Sequence, residues 1–193
     1  MPRTTTIERN TKETKIKATL NLDGTGKSEI STGIGFFDHM LTAWAFYAGF
    51  GLDLKAEGDL HVDGHHTVED TGILLGQALG AALGDKKGIR RFGSCLLPMD
   101  EALCLTALDF SGRSFLVFDA PMPQPMIGNY DACLTEEFMR ALAMNAGLTL
   151  HQRALYGKNA HHITEALFKS LGLAMKDAVK VEGDAVTSTK GVL

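Results

Sequence analysis

Cysteine is scarce in this chain, and what there is forms no pattern: Cys95, Cys104 and Cys133 are odd in number and show no CxxC spacing. That excludes a disulfide framework and reads as reduced, partly buried core thiols of a cytosolic protein. Met1-Pro2-Arg3-Thr4-Thr5-Thr6 likewise lacks the apolar stretch of a signal peptide, so none is expected. The most apolar run, residues 40–52, is about 13 residues long and too short to cross a bilayer. Nor is there an excess of positive charge. A formal net charge of -4 gives no electrostatic reason to expect nucleic acid or an anionic membrane as partner. Any anionic substrate must be met by local cations, and the expectation is a soluble, cytoplasmic protein.

With 45% hydrophobic and 22% charged residues, 193 residues can form one large globular domain or two small fused ones. Residues 7–10 and 13–22 read as strands; in the second, Ile16, Ala18, Leu20 and Leu22 alternate with Lys15, Lys17, Thr19 and Asn21. Asp23-Gly24-Thr25-Gly26 reads as a hairpin turn into a third short strand at 27–31. With strands around it and no helix after it, Gly24-Thr25-Gly26-Lys27 is not a phosphate loop. Residues 34–48 are apolar nearly all round and predict a buried helix with Asp38 and His39 inside it. A strand at 52–56 and a helix at 65–83 follow. The second half repeats the plan, with strands at 103–110 and 115–119, a Pro-rich loop, a helix at 135–145, a strand at 148–155 and a helix at 161–181. The expected fold class is α+β: an internally duplicated strand-strand-helix-strand-helix unit, with pseudo-repeats of about 1–90 and 91–193 and helices on one face of each sheet.

Histidine carries the chemistry. His65-His66-Thr67-Val68-Glu69 returns as His161-His162-Ile163-Thr164-Glu165, each opening a long apolar-periodic segment. Consecutive helical residues point about 100° apart, so adjacent histidines cannot easily share one ion. The i,i+4 pairs His65 with Glu69 and His161 with Glu165 can each chelate one. Exchange then uses the remaining rings: His66 joins His161 and Glu165, while His162 joins His65 and Glu69. His39 and His151 can raise each site to four ligands, His39 with His66, His161 and Glu165, and His151 with His65, Glu69 and His162. His61 reads as solvated. Imidazole plus carboxylate without thiolate suits manganese, iron, cobalt or zinc, and ligand type alone does not choose. Cations for an anion stand at Lys86-Lys87, Arg90-Arg91, Arg113, Lys169 and Ser188-Thr189-Lys190.

Several separate stretches resemble one family. Gly35-Phe36-Phe37-Asp38-His39-Met40-Leu41, His65-His66-Thr67-Val68-Glu69-Asp70, Pro98-Met99-Asp100-Glu101-Ala102, Gly157-Lys158-Asn159-Ala160-His161-His162 with Glu165, and Lys190-Gly191-Val192-Leu193 are similar to the imidazoleglycerol-phosphate dehydratases of histidine biosynthesis. The resemblance implies a ribosomal S5 domain 2-like fold with helices sandwiched between two sheets, and a 24-subunit homo-oligomer built from trimers. It implies two Mn2+ per active site, held by His39, His65, His66, Glu69, His151, His161, His162 and Glu165. The substrate, a phosphorylated imidazole, would meet those side chains other than His151, together with Glu13, Arg91, Arg113, Lys169, Ser188, Thr189 and Lys190. Glu13, Glu69 and Glu165 are the expected catalytic carboxylates, Glu13 being the candidate for proton transfer. Thr42 and Ala43 replace an aspartate and an amide common in the family, and Ser114 replaces a proline; no implied ligand is lost. On the residues alone, a dinuclear metallohydrolase and a metal-dependent assembly without catalysis use the same donors.

Overall fold

Thr14, Ile16, Ala18 and Leu20 are buried and the lysines between them exposed, so the period-two pattern forms a strand with one wet face. The computed structural model describes residues 3–191; Met1, Pro2, Val192 and Leu193, the last two being the end of the C-terminal motif, lie outside the described residues. The first half runs β1 (Thr4–Asn10), β2 (Thr14–Asn21), β3 (Ser28–Ser31), α1 (Gly35–Ala48), β4 (Gly51–Gly58) and α2 (His65–Leu83). The second runs β5 (Phe92–Met99), β6 (Ala102–Asp109), β7 (Phe115–Asp119), the small hairpin β8 (Met126–Ile127) and β9 (Tyr130–Asp131), α3 (Leu134–Ala146), β10 (Thr149–Tyr156) and α4 (Ala160–Ala178). The sheets have orders β1-β2-β4-β3 and β5-β6-β10-β7, so the two halves share one topology.

Two expectations change. The segment 23–26 is not a hairpin turn: β3 pairs parallel with β4, because β4 already occupies the free edge of β2. The chain instead crosses the start of β4 so closely that a Cβ on Gly24 would lie 2.1 Å from the Gly51 nitrogen. β7 likewise pairs parallel with β10 rather than with β6. The second change is an added strand, β5, which, the separate β8-β9 hairpin aside, gives each half three strands before its first helix. It is an edge strand with no fully buried side chain, and it contains Gly93 and Pro98, so it carries no apolar alternation to read.

The four helices lie between the sheets. α2 packs on β1 and β2, α4 packs on β5 and β6, and the layers join where α2 meets α3 and α1 meets α4. Glycines permit both crossings. A Cβ on Gly76 would lie 2.7 Å from the Leu142 oxygen and from the Asn145 Cβ; one on Gly172 would lie 2.7 Å from the Trp44 oxygen and 3.0 Å from the Tyr47 Cβ. These contacts are the same in the two halves, exchanged between them. One continuous core results, with Trp44, Phe37, Phe138 and Phe168 fully buried. Among the thiols, all free, Cys104 is buried, Cys95 partly so, and Cys133 is exposed rather than in the core.

Gly76→Ala and Gly172→Ala should each overpack a backbone crossing and destabilise by about 1–3 kcal/mol, more than the roughly 1 kcal/mol gained in helix propensity. Thermal melts of the single variants check this. Wild-type melting in both would rule out close approach as the reason for these glycines.

Candidate active site

α4 begins at Asn159, whose side chain accepts from the His161 amide at 2.9 Å. One turn on, the i,i+4 spacing brings His161 Nε2 to 3.1 Å from Glu165 Oε2. α1 lies against this helix, and its His39 Nε2 reaches the same carboxylate oxygen at 3.6 Å. One ligand atom from each of His39, His161 and Glu165 falls within 4.8 Å of the others, the one such grouping among the described residues. His39 is exposed rather than inside a buried helix, because Gly35, His39, Thr42 and Phe46 form a solvent-facing stripe on α1. Asp38 turns the other way and accepts from Thr32. Thr42 donates to the Asp38 carbonyl of its own helix.

Glu165 is 6% exposed, and its other oxygen lies 2.7 Å from Lys169 Nζ. Burial pushes the Glu165 carboxyl up, but Lys169 and the two imidazoles outweigh it and leave it below its ordinary value. The carboxylate is therefore charged and ready to share with a cation. Two imidazoles and a carboxylate, without thiolate, fit a nitrogen–oxygen metal site.

The adjacent histidines do point apart, with ring planes at 88° for His65 and His66 and 80° for His161 and His162. Each second histidine is held by a carboxylate that sequence reasoning did not single out. His66 Nδ1 donates to Asp59 at 3.0 Å, and His162 Nδ1 donates to Glu101 at 2.6 Å. Both bonds leave Nε2 free to ligate, the usual arrangement of metal-bound histidines. Asp59 raises the His66 pKa and Glu101 raises that of His162, while His162 and the Lys158 amide lower Glu101 to about 2. Glu101 stands in a quoted family stretch, so its position was visible but not its role; Asp59 carried no signal. Asp100, in the same turn, has φ 49.

Within one chain His39 joins His161 and Glu165 as expected, but the exchange of His66 and His162 between the helices does not form. His66 sits with Asp59 and Glu13, whose Oε1 is 3.8 Å from His66 Nε2, and His162 sits with Glu101 and Asp100 rather than with the other helix. His65 and Glu69 are 3.7 Å apart and half exposed. Glu13 directly precedes β2 as Glu101 precedes β6, so the duplication puts one glutamate beside each second histidine. His151 is exposed and points out of the β5-β6-β10-β7 sheet, into solvent. His61 is exposed.

The cations divide between two places. Lys169 stays with Glu165, whereas Arg91 and Arg113 lie at Asp109. The C-terminal segment reaches that second place by bonding along residues 88–91: Glu182 N donates to Gly88 O, Gly88 N to Ala185 O, and Thr187 Oγ1 to Ile89 O. Ser188, Thr189 and Lys190 follow directly. No helix among the described residues is long and apolar enough to cross a membrane.

The family model for imidazoleglycerol-phosphate dehydratase matches residues 32–175. The imidazoleglycerol-phosphate dehydratase of Acetivibrio thermocellus is 57% identical over 195 residues, and that of Acidiphilium cryptum 56% over 196, each alignment covering 100% of both chains. Among solved structures, the Pyrococcus furiosus enzyme superimposes with TM-score 0.85 at 42% identity, covering 97% of this chain and 100% of that one. The Staphylococcus aureus enzyme gives 0.84 at 38%, covering 92% and 99%.

Glu165→Gln should weaken divalent-metal binding at least about tenfold, read by calorimetric titration with the fold checked by circular dichroism. In metal-free protein the raised His162 pKa means that its pairing with Glu101 stabilises the fold at low pH and fades as pH rises through the folded value. Glu101, lowered to about 2, stays charged through that range. The His162 NMR titration midpoint should therefore lie above the ordinary histidine value and fall in Glu101→Gln. An unmoved midpoint would show that Glu101 does not hold the ring.

Proposed function

From the premise that this chain belongs to the imidazoleglycerol-phosphate dehydratase family, hydro-lyases of histidine biosynthesis, we propose how its own residues carry out that dehydration with manganese. The substrate is D-erythro-imidazole glycerol phosphate, and the products are imidazole acetol phosphate and water. The observation that carries the metal is the convergence of His39, His161 and Glu165. Two Mn2+ per active site would be held by these residues with His65, His66, Glu69, His151 and His162. When bound, such ions supply positive charge that favours loss of the substrate's ring proton, as it does for bound water.

The protein's residues do the rest. The hydrogen to be removed is not beside a carbonyl, so the ring itself must become electron-rich enough to expel the neighbouring hydroxyl. Asp59 and Glu101 keep the His66 and His162 rings turned with Nε2 outward. Glu13, exposed and beside His66, takes the proton from the next carbon, and the resulting enol tautomerises to the ketone. Arg91, Arg113, Lys169, Ser188, Thr189 and Lys190 hold the phosphate end and so fix the reacting carbons.

One copy of the chain does not bring these parts together. Arg91 N donates to Ala178 O near the end of α4, and from Glu165 to Ala178 the helix extends roughly 20 Å. That exceeds the reach of a three-carbon chain between an imidazole and a phosphate. His151 and Asp109 instead share the outward face of the second sheet, in adjacent rows. That face also carries Phe92, Leu96, Phe115 and Tyr156, all exposed, beside one Arg153–Asp119 ion pair, whereas the outward face of the first sheet carries Lys15, Lys17, Asp53, Lys55 and Glu57. An apolar sheet face bearing a histidine supports assembly in which one copy supplies His151 and the phosphate cations to another copy's helix ends. A cytoplasmic homo-oligomer of 24 subunits built from trimers, each residue 1–193 chain a single domain, accommodates this.

The test is a dehydration assay on imidazole glycerol phosphate with a metal count per subunit. Chelation should abolish keto product and manganese should restore it. Glu13→Gln should retain metal and lose about 10²–10⁴-fold in kcat. Wild-type turnover in that variant would give the proton to water instead.

A further inference from the structure

Resting on the dehydratase reading above, we propose that Asp109 is a positioning residue for the substrate's phosphate: it holds Arg91 in the one orientation that leaves two of its N–H groups for the anion. Arg91 has five side-chain N–H donors in a rigid plane. Nε donates to Asp109 Oδ1 at 2.6 Å, Nη2 to Asp109 Oδ2 at 3.0 Å, and Nη1 to the Thr187 carbonyl at 2.7 Å. Two N–H groups remain. The guanidinium also lies over the Phe92 ring at 4.6 Å, which fixes the tilt of the plane that the carboxylate has already turned.

The backbone of Arg91 is held just as firmly. It adopts φ 75, a left-handed conformation that a non-glycine residue rarely keeps without compensation. Its N–H donates to Ala178 O, and its carbonyl accepts from Phe110 N, the residue after Asp109. Asp109 Oδ2 is also 4.0 Å from Arg113 Nη2, so one carboxylate stands between the two arginines assigned to the phosphate. The half-buried Lys86 ammonium, itself at φ 60, feels the charge of the same Asp109.

A carboxylate beside an anion site looks unfavourable, but the charges balance. Lys86, Arg91 and Arg113 against Asp109 leave two positive charges even before Lys190 is added, enough to meet the roughly -1.5 to -2 of a phosphate monoester near neutral pH. Asp109 points out of its sheet, away from the core, and among the described residues its side-chain hydrogen bonds go to Arg91 alone. Without it, Arg91 keeps only Thr187 and Phe92, and binding must order a long side chain that is otherwise already ordered. The Thr187 carbonyl makes the same guanidinium the anchor for the segment that carries Ser188 and Lys190.

The test uses full-length, metal-loaded enzyme and compares Asp109→Ala, Asp109→Asn, Arg91→Lys and the double variant D109A/R91K. In Asp109→Ala, KM should rise at least about tenfold, and inhibition by inorganic phosphate should weaken in parallel, with kcat within about threefold of wild type. Asp109→Asn should fall between, since the amide oxygen still accepts one N–H. The double variant should be little worse than Arg91→Lys, because the two act as one unit. A lower melting temperature and kcat with unchanged KM would mark Asp109 as merely structural and overturn the proposal. Should Asp109→Ala fail to assemble, unchanged KM and phosphate inhibition in Asp109→Asn overturn it equally. Unchanged values in Arg91→Lys would sink the phosphate site itself, whereas impaired Arg91→Lys beside normal Asp109 variants sinks Asp109 alone.

Discussion

The packing of α2 across α3 and of α4 across α1 is the constraint on which the rest depends. Each helix that opens with a histidine pair crosses a helix of the other half, at Gly76 and at Gly172, with backbone close enough to exclude a side chain. The two repeats therefore share one core and cannot separate without exposing Trp44, Phe138 and Phe168. The same crossing sets His39 of α1 against Glu165 of α4. A core contact made for packing thus determines which imidazole from outside α4 can reach its carboxylate.

Electrostatics then divides the labour. Glu165 is nearly buried yet charged, because Lys169 and two imidazoles offset its desolvation. Glu101 accepts from the Lys158 and Asn159 amides and from His162, so it ties the start of α4 and the ring of its second histidine to the β5–β6 turn. Asp59 does the corresponding work for His66 from the loop after β4. Glu13 occupies in the first half the place of Glu101 in the second, but it lies 3.8 Å from its histidine and is exposed. Duplication supplied two glutamates; Glu101 is committed to hydrogen bonds, whereas Glu13 is exposed and makes none to its histidine.

His39, His161 and Glu165, with Lys169, sit toward the start of α4, whereas Arg91 and Arg113 lie near its other end, with His151 on an outward sheet face close to Asp109. On the proposed assembly, this chain would serve two different sites with its two ends. Its unlike sheet faces, one polar and one rich in exposed aromatic and aliphatic side chains, agree with that division.

Much of this was legible locally. The i,i+4 pairs, the helix bounds of α2, the duplication and the donor chemistry follow from residues close together in the chain, where covalent spacing and helical period dictate geometry. The quoted stretches carried the family. What tertiary structure decided were relations between distant residues: the parallel placement of β3 and β7, the edge strand β5, the exposure of His39 and His151, and the partners Asp59, Glu101 and Asp109. Sequence spacing says nothing of these, because they depend on which helix crosses which and in what sheet register. The sequence by itself determined which side chains could hold a metal and a phosphate. Only the packed structure decided which carboxylate turns each ring and each guanidinium, since those bonds close between elements that the chain leaves far apart.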